Sequence, residues 1–365
     1  SDLFTDKLVL QRETLVPVWG WADEGEEVTV AFRGQQVKTT AKDGCWMVRL
    51  NKLTAGGPND LTVTGKNTVT LKNVLGGEVW IASGQSNMEW PLSASYQPES
   101  DIAASANPML RLYTVPKLKA EAPVKNVSAN WQECKPETVP NFSAVAYYFG
   151  RDLQQALKVP VGLIHTSWGG SPAEVWMSEP VLAANFEYKR DILDAYPAAL
   201  KRYQESVAAY EKEAAAAKDA GKPFKKNRPW SPWKPTELYN GMIAPLIPFA
   251  IQGAIWYQGE SNAGRAREYR TLFADMVKNW RQDWGQGDFT FLQVQLAPFM
   301  AIKDQPGESA WAELREAQVL AAKTLPNAGV AVITDVGDEK DIHPNKKEPV
   351  GARLALAARA IAYGE

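Results

Sequence analysis

The chain has 365 residues, 45% of them hydrophobic and 22% charged, which is long enough for a large core and more than one domain. Forty basic residues against forty-two acidic ones leave a net charge of −2, so no electrostatic pull toward nucleic acid or an anionic membrane is expected. Two cysteines, Cys45 and Cys134, cannot form a disulfide framework, and no apolar run approaches the roughly 18 residues of a membrane span.

The first 75 residues read as β structure. LVLQRE, LVPVWGWA, EEVTVAF, QQVKTT, CWMVRL, DLTVTG and NTVTLKNV are short, rich in Val, Thr and aromatics, and separated by turn-forming stretches such as DEGE, KDG and AGGPND. They predict a small β-sandwich over residues 1–75. From residue 76 the pattern changes to apolar strand runs alternating with helical segments. Strands are predicted at about 78–83, 160–166, 250–257, 289–295 and 328–334, and helices near 143–158, 265–283, 309–324 and 346–363. Five strands joined by long crossovers imply a parallel, doubly wound α/β sheet over 76–365, with helices on both faces. An Ala, Lys and Glu rich stretch at about 184–230 reads as a solvated helical insertion.

In a doubly wound sheet, ligands sit beyond the carboxyl ends of strands. Two copies of Gly-x-Ser-Asn fall there: SGQSNMEW at 83–90 and QGESNAGR at 258–265. A serine hydroxyl needs a neighbouring base to become a nucleophile, and the chain has two histidines. His343 lies in DEKDIHPNKK, where Asp338, Glu339 and Asp341 could stabilise an imidazolium; His165 lies in an apolar strand and reads as a packed core histidine. Two histidines cannot supply the three ligands of many catalytic zinc sites, and no HExxH motif is present, so no metal is expected. The GxSxG elbow of α/β-hydrolases is also missing, since Asn87 and Met88 follow Ser86. The turn SWGGSP at 167–172 offers Gly169 and Gly170 as backbone donors for an acyl oxyanion. These features leave Ser86 and Ser261 unseparated.

GGEVWIASGQSNMEWPL, HTSWGGSPAEVWMS, LYNGMIAPLIPFAIQGAIWYQGESNA and DIHPNKKEPVGARLALAARAIAYGE closely resemble the sialate O-acetylesterase family, a branch of the SGNH (GDSL-like) hydrolases. The resemblance spans essentially the whole chain and implies a flavodoxin-like SGNH domain. It implies that Ser86 is the nucleophile, with GQS in place of the usual GDS. WYQGESN resembles the block whose side-chain amide helps hold the oxyanion, which leaves Ser261 without a nucleophilic role. Gln258, or else Asn262, is the expected amide donor, and Ser86 and Gly170 the expected backbone donors. His343 is the expected base. The last block is usually DxxH, but Lys340 stands three residues before His343, so Asp341 is the first choice of orienting carboxylate. Asp335, Asp338 or a backbone carbonyl are the alternatives.

Gln85, Trp168 and Glu260 border these blocks and are expected to contact substrate. Trp90, Trp176 and Trp256 also lie beside them, and core packing explains each equally well. The implied function is a cofactor-free serine esterase releasing acetate from O-acetylated sugars, above all O-acetyl sialic acid. Plant-wall polysaccharides such as xylan or xyloglucan are the alternative substrates, and a catalytically silent sugar-binding protein is the alternative from another class. The family implies a secreted or periplasmic location; the opening SDLFTDK is not a signal peptide, and one could have been removed.

Overall fold

One strand runs through both halves of the molecule. The computed structural model describes residues 1–365, and in it β1 (Val9–Gln11), β2 (Val16–Trp21), β3 (Glu27–Phe32), β4 (Gln35–Thr40), β5 (Cys45–Leu50) and β6 (Gly56–Thr64) precede β7 (Thr68–Gly84). The first half of β7 pairs antiparallel with β6, which pairs with β3 and then β4; β1 adds in parallel to β7, and β2 pairs with β5 in a separate two-stranded sheet. The second half of β7 is the centre of the large sheet. Its sequence records the change: exposed threonines and Lys72 mark TVTLK, whereas every residue from Val74 to Gly84 is buried, as a strand covered on both faces requires. The expected division at residue 75/76 therefore falls inside a continuous strand, and one hydrophobic core is shared across it.

The large sheet has the order β13-β12-β11-β7-β10-β8-β9, with β8 (Asn107–Thr114), β9 (Gln132–Cys134), β10 (Val161–Ser167), β11 (Gly253–Tyr257), β12 (Thr290–Val294) and β13 (Ala328–Ala331). All its pairings are parallel except that of β9 with β8. The five expected strands are β7, β10, β11, β12 and β13; the expectation of five is corrected by β8 and β9, which extend the sheet beyond β10. Arg111 in the middle of β8 disguises it in sequence. A charged residue there suggests solvent, yet Arg111 is 2% exposed, donating to the carbonyls of Pro108 and Lys7 and to Asn73 Oδ1.

Helices cover both faces. Trp80 on β7 packs against Phe149 of the Ala144–Leu157 helix and donates to the Tyr363 hydroxyl of the Glu348–Tyr363 helix. On β11, Trp256 is in register with Ser83, three residues beyond Trp80, so it points to the opposite face. There it meets Phe273 and Trp280 of the Ala266–Trp284 helix, against which the Ala310–Thr324 helix packs. Ser143 and Ser309 cap two of these helices, accepting the backbone N–H three residues on, which fixes where the chain turns from loop to helix. The 24-residue helix Tyr196–Asp219 within the expected insertion buries no residue.

The carboxyl ends of three central strands align, with Ser167, Gly84 and Tyr257 in register. The chain leaves β7 and β11 through glycines at φ +138° and +153°, Gly84 and Gly259, a region that side-chain-bearing residues rarely adopt. A Cβ on Gly84 would also lie 2.1 Å from the Tyr257 carbonyl oxygen. The repeated glycine of Gly-x-Ser-Asn is thus a shared backbone solution at two adjacent strand ends. Gly84→Ala is expected to cost at least about 2 kcal/mol of stability through strain and the backbone clash, read as a lower urea midpoint at unchanged slope.

Candidate active site

Ser86 begins a single helical turn, Ser86–Glu89, directly after β7. His343 is carried by the loop between β13 and the last helix, 257 residues away in the chain. The two meet: His343 Nε2 is 2.8 Å from Ser86 Oγ. They open onto a cleft of about 690 Å³ that Glu89, Lys117, Trp168 and Gly169 also line. Trp90 stacks on the His343 ring at 5.3 Å and fixes its plane from one side. Ser261, by contrast, is exposed, lies outside that cleft, and donates its backbone N–H to Gln85 Oε1 at 3.3 Å.

Burial holds the His343 imidazole below its ordinary pKa, the Lys347 ammonium adds to the effect, and Asp341 opposes it. A lowered pKa keeps the ring neutral, and so able to accept a proton, further into the acid range. Asp341 approaches without a hydrogen bond to the ring: its Oδ1 accepts the His343 backbone N–H at 2.8 Å and lies 3.8 Å from Nδ1. The two alternative aspartates are engaged elsewhere. Asp335 forms a fork with Arg353 at 2.5 and 2.6 Å, and Asp338 accepts the Lys340 backbone N–H.

Several of the expected site residues lie outside the lining of this cleft. Gln258 is fully buried; its amide donates to Asn262 Oδ1 and the Ser171 carbonyl, and its carbonyl accepts from the Tyr269 hydroxyl. Asn262 donates to Glu174 and accepts from the Ala173 N–H. Neither lines the cleft, because both are locked in a closed buried network under the second motif. Gly170 is exposed, and a Cβ there would meet nothing within 4 Å, whereas a Cβ on Gly169 would lie 3.3 Å from Ser86 Cβ. Gly169 is the glycine packed on the serine. Gln85 and Glu260 are turned inward to hold the two motifs together and do not line the cleft; among the residues expected to contact substrate, Trp168 does. Trp176 and Trp256 are core residues with no exposure. His165 is buried with Nε2 2.6 Å from Ser167 Oγ, and burial pulls its pKa down to about 4.

Asn87 and Lys347 were not singled out in the sequence. Asn87 Nδ2 donates to Glu260 Oε1 at 2.6 Å and to the Ile342 carbonyl at 3.0 Å, while its Oδ1 accepts from the Lys347 ammonium. Lys347 is 1% exposed, lies over the Trp90 and Tyr257 rings, and is pushed down to about 7 by burial. Burial pushes the Glu260 carboxyl up. The signal that could have found Asn87 is its repetition beside serine in both motifs; Lys347, in HPNKKEP, reads as an ordinary surface lysine.

A family model for "carbohydrate esterase, sialic acid-specific acetylesterase" matches residues 220–360. Sialate O-acetylesterase of Rattus norvegicus is 31% identical to this chain, the match covering 98% of the chain and 72% of the relative; that of Homo sapiens is 30% identical, covering 100% and 71%. The crystal structure of a carbohydrate acetylesterase from Xanthomonas citri superposes with a TM-score of 0.83 at 38% identity, over 100% of this chain and 75% of that one.

Replacing Lys347 with Met removes the positive charge that depresses His343, so the His343 pKa should rise. The acid limb of kcat/KM against pH on an aryl acetate should then move to higher pH, and an unmoved limb in a folded variant would contradict this electrostatic coupling.

Proposed function

Because this chain belongs to the sialate O-acetylesterase family, a group of carboxylic ester hydrolases, we propose that it is a serine O-acetylesterase of the SGNH type acting on O-acetylated sialic acid. The observation that carries the reading is the 2.8 Å contact of Ser86 Oγ with His343 Nε2 inside the cleft. In this reading His343 Nε2 takes the Ser86 proton as Oγ attacks the acetyl carbonyl. The backbone N–H groups of Ser86 and Gly169 hold the developing oxyanion. His343 returns the proton to the sugar oxygen as the C–O bond breaks; water, activated by the same imidazole, then cleaves the acetyl-serine and releases acetate. Asp341, 3.8 Å from Nδ1, steadies the imidazolium and positions the loop through the His343 N–H.

The second motif has a supporting role: Gln85 and Asn87 reach from the nucleophile turn into it. We assign residues 1–75 to a β-sandwich support domain and 76–365 to the catalytic domain, with 184–230 as its helical insertion. A secreted or periplasmic location fits the family; no helix is long and apolar enough to cross a membrane. Acetate release from O-acetyl sialic acid should exceed that from acetylated xylan, and the reverse ranking would move the assignment to plant-wall polysaccharide.

Ser86→Ala should abolish acetate release with the fold intact, while Ser261→Ala should keep most of it; equal loss from both would refute the division of roles. Asp341→Asn should lower kcat by at least about tenfold and up to about 10⁴-fold, the range of an orienting carboxylate. A smaller loss would leave Ser86 and His343 acting as a dyad.

A further inference from the structure

The backbone N–H of the glycine packed on the nucleophile already has an anion on it. Gly169 N donates to Glu89 Oε2 at 2.7 Å, which is the distance at which an oxyanion donor holds its oxygen. Glu89 is three residues after Ser86 on the same helical turn, so the two side chains share a face. The other carboxylate oxygen, Oε1, takes the Lys117 ammonium at 2.5 Å. Lys117 in turn lies over the Trp168 ring at 5.3 Å, and Lys119 lies over both Trp168 and Trp233, at 5.6 and 4.1 Å. The cleft wall beside the serine is therefore the Trp168 ring with Lys117 against it. Lys119 is paired with Glu237 at 2.9 Å, outside the cleft lining. Lys117 has its counter-ion inside the cleft.

An acetyl oxyanion and the Glu89 carboxylate cannot both occupy the Gly169 N–H, and two anions there repel each other. Turnover thus requires Glu89 to leave. Both partners of its ion pair are partly solvated, with side chains 32% and 43% exposed, so the pair is weakly held and exchangeable. A sugar whose ring lies against Trp168 and carries a carboxylate could replace Glu89 at Lys117, whereas a neutral sugar offers no such exchange.

We propose that Glu89 stands in for the substrate in the free enzyme, occupying the Gly169 N–H and Lys117, and that Lys117 reads a carboxylate on the acetylated sugar that displaces Glu89 and opens the oxyanion site. Glu89 and Lys117 are then the pair that sets selectivity for acidic over neutral acetylated sugars. This rests on Ser86 being the nucleophile of an acetylesterase.

The test uses wild type, Glu89→Ala, Glu89→Gln and Lys117→Met of the full chain, with 4-nitrophenyl acetate, O-acetyl sialic acid and methylboronic acid, whose tetrahedral adduct on serine places an oxygen at the oxyanion donors. Removing the occupant should lower the methylboronic acid inhibition constant and raise kcat/KM on 4-nitrophenyl acetate about threefold to fivefold, the range an exposed ion pair supplies. Glu89→Gln, which keeps the shape, should shift both in the same direction. Lys117→Met should lower kcat/KM for O-acetyl sialic acid about tenfold more than for 4-nitrophenyl acetate, as loss of a charge-assisted contact implies. The proposal is overturned if folded Glu89 variants bind methylboronic acid no better than wild type, or if Lys117→Met lowers both substrates alike. A wild type inactive on 4-nitrophenyl acetate would instead refute the esterase reading itself.

Discussion

The side-chain amide of Asn87 binds together three segments that are far apart in sequence. One residue after the proposed nucleophile, it donates to Glu260 in the second Gly-x-Ser-Asn turn and to the Ile342 carbonyl beside His343, and accepts from Lys347 at the start of the last helix. Asn87 and Lys347 are each 1% exposed, so their contact is shielded from water and costly to leave unmade. The Ser86 to His343 distance depends on this fork, since nothing covalent relates the end of β7 to the loop after β13. Gln85 adds a second tie by accepting from the backbone of Gly259 and Ser261.

The duplicated motif then has a physical account. Two neighbouring parallel strands end in register, and the chain leaves each through a glycine with positive φ. What differs is the surroundings. The first turn faces the cleft and His343, whereas the second faces the first, so its polar side chains become connectors. Gln258 and Asn262 carry this furthest, satisfying each other, Tyr269, Glu174 and the backbone at Ser171 and Ala173 with almost no exposure.

Much of the architecture was legible because its signals are local. The Ala144–Leu157 and Ala310–Thr324 helices begin beside serine caps, and the Ala266–Trp284 helix ends at Gly285 in the left-handed conformation. The alternation in TVTLK and the continuous apolar run after it mark the two environments of β7. Strand β8 was missed because Arg111 is buried by partners from Lys7, Asn73 and Pro108, which no local pattern reveals. The site shows the same divide. The pairing of Ser86 with His343 was expected from block order, but which of Gly169 and Gly170 packs on the serine depends on how the turn after β10 folds. Lys347 is buried by Asn87, Trp90 and Tyr257, all supplied by other segments.

The proposed chemistry starts from a neutral base held on the serine. An imidazole held below its ordinary pKa stays neutral, stacked under Trp90, with its Nε2 on the serine hydroxyl. The most direct test is to trap the nucleophile. Incubation with a fluorophosphonate, followed by intact mass and peptide mapping, should give a single adduct on the peptide containing Ser86, formed more slowly as pH falls through the His343 titration. An adduct on Ser261 or Ser167, or an enzyme that releases acetate while Ser86 stays unlabelled, would contradict the account.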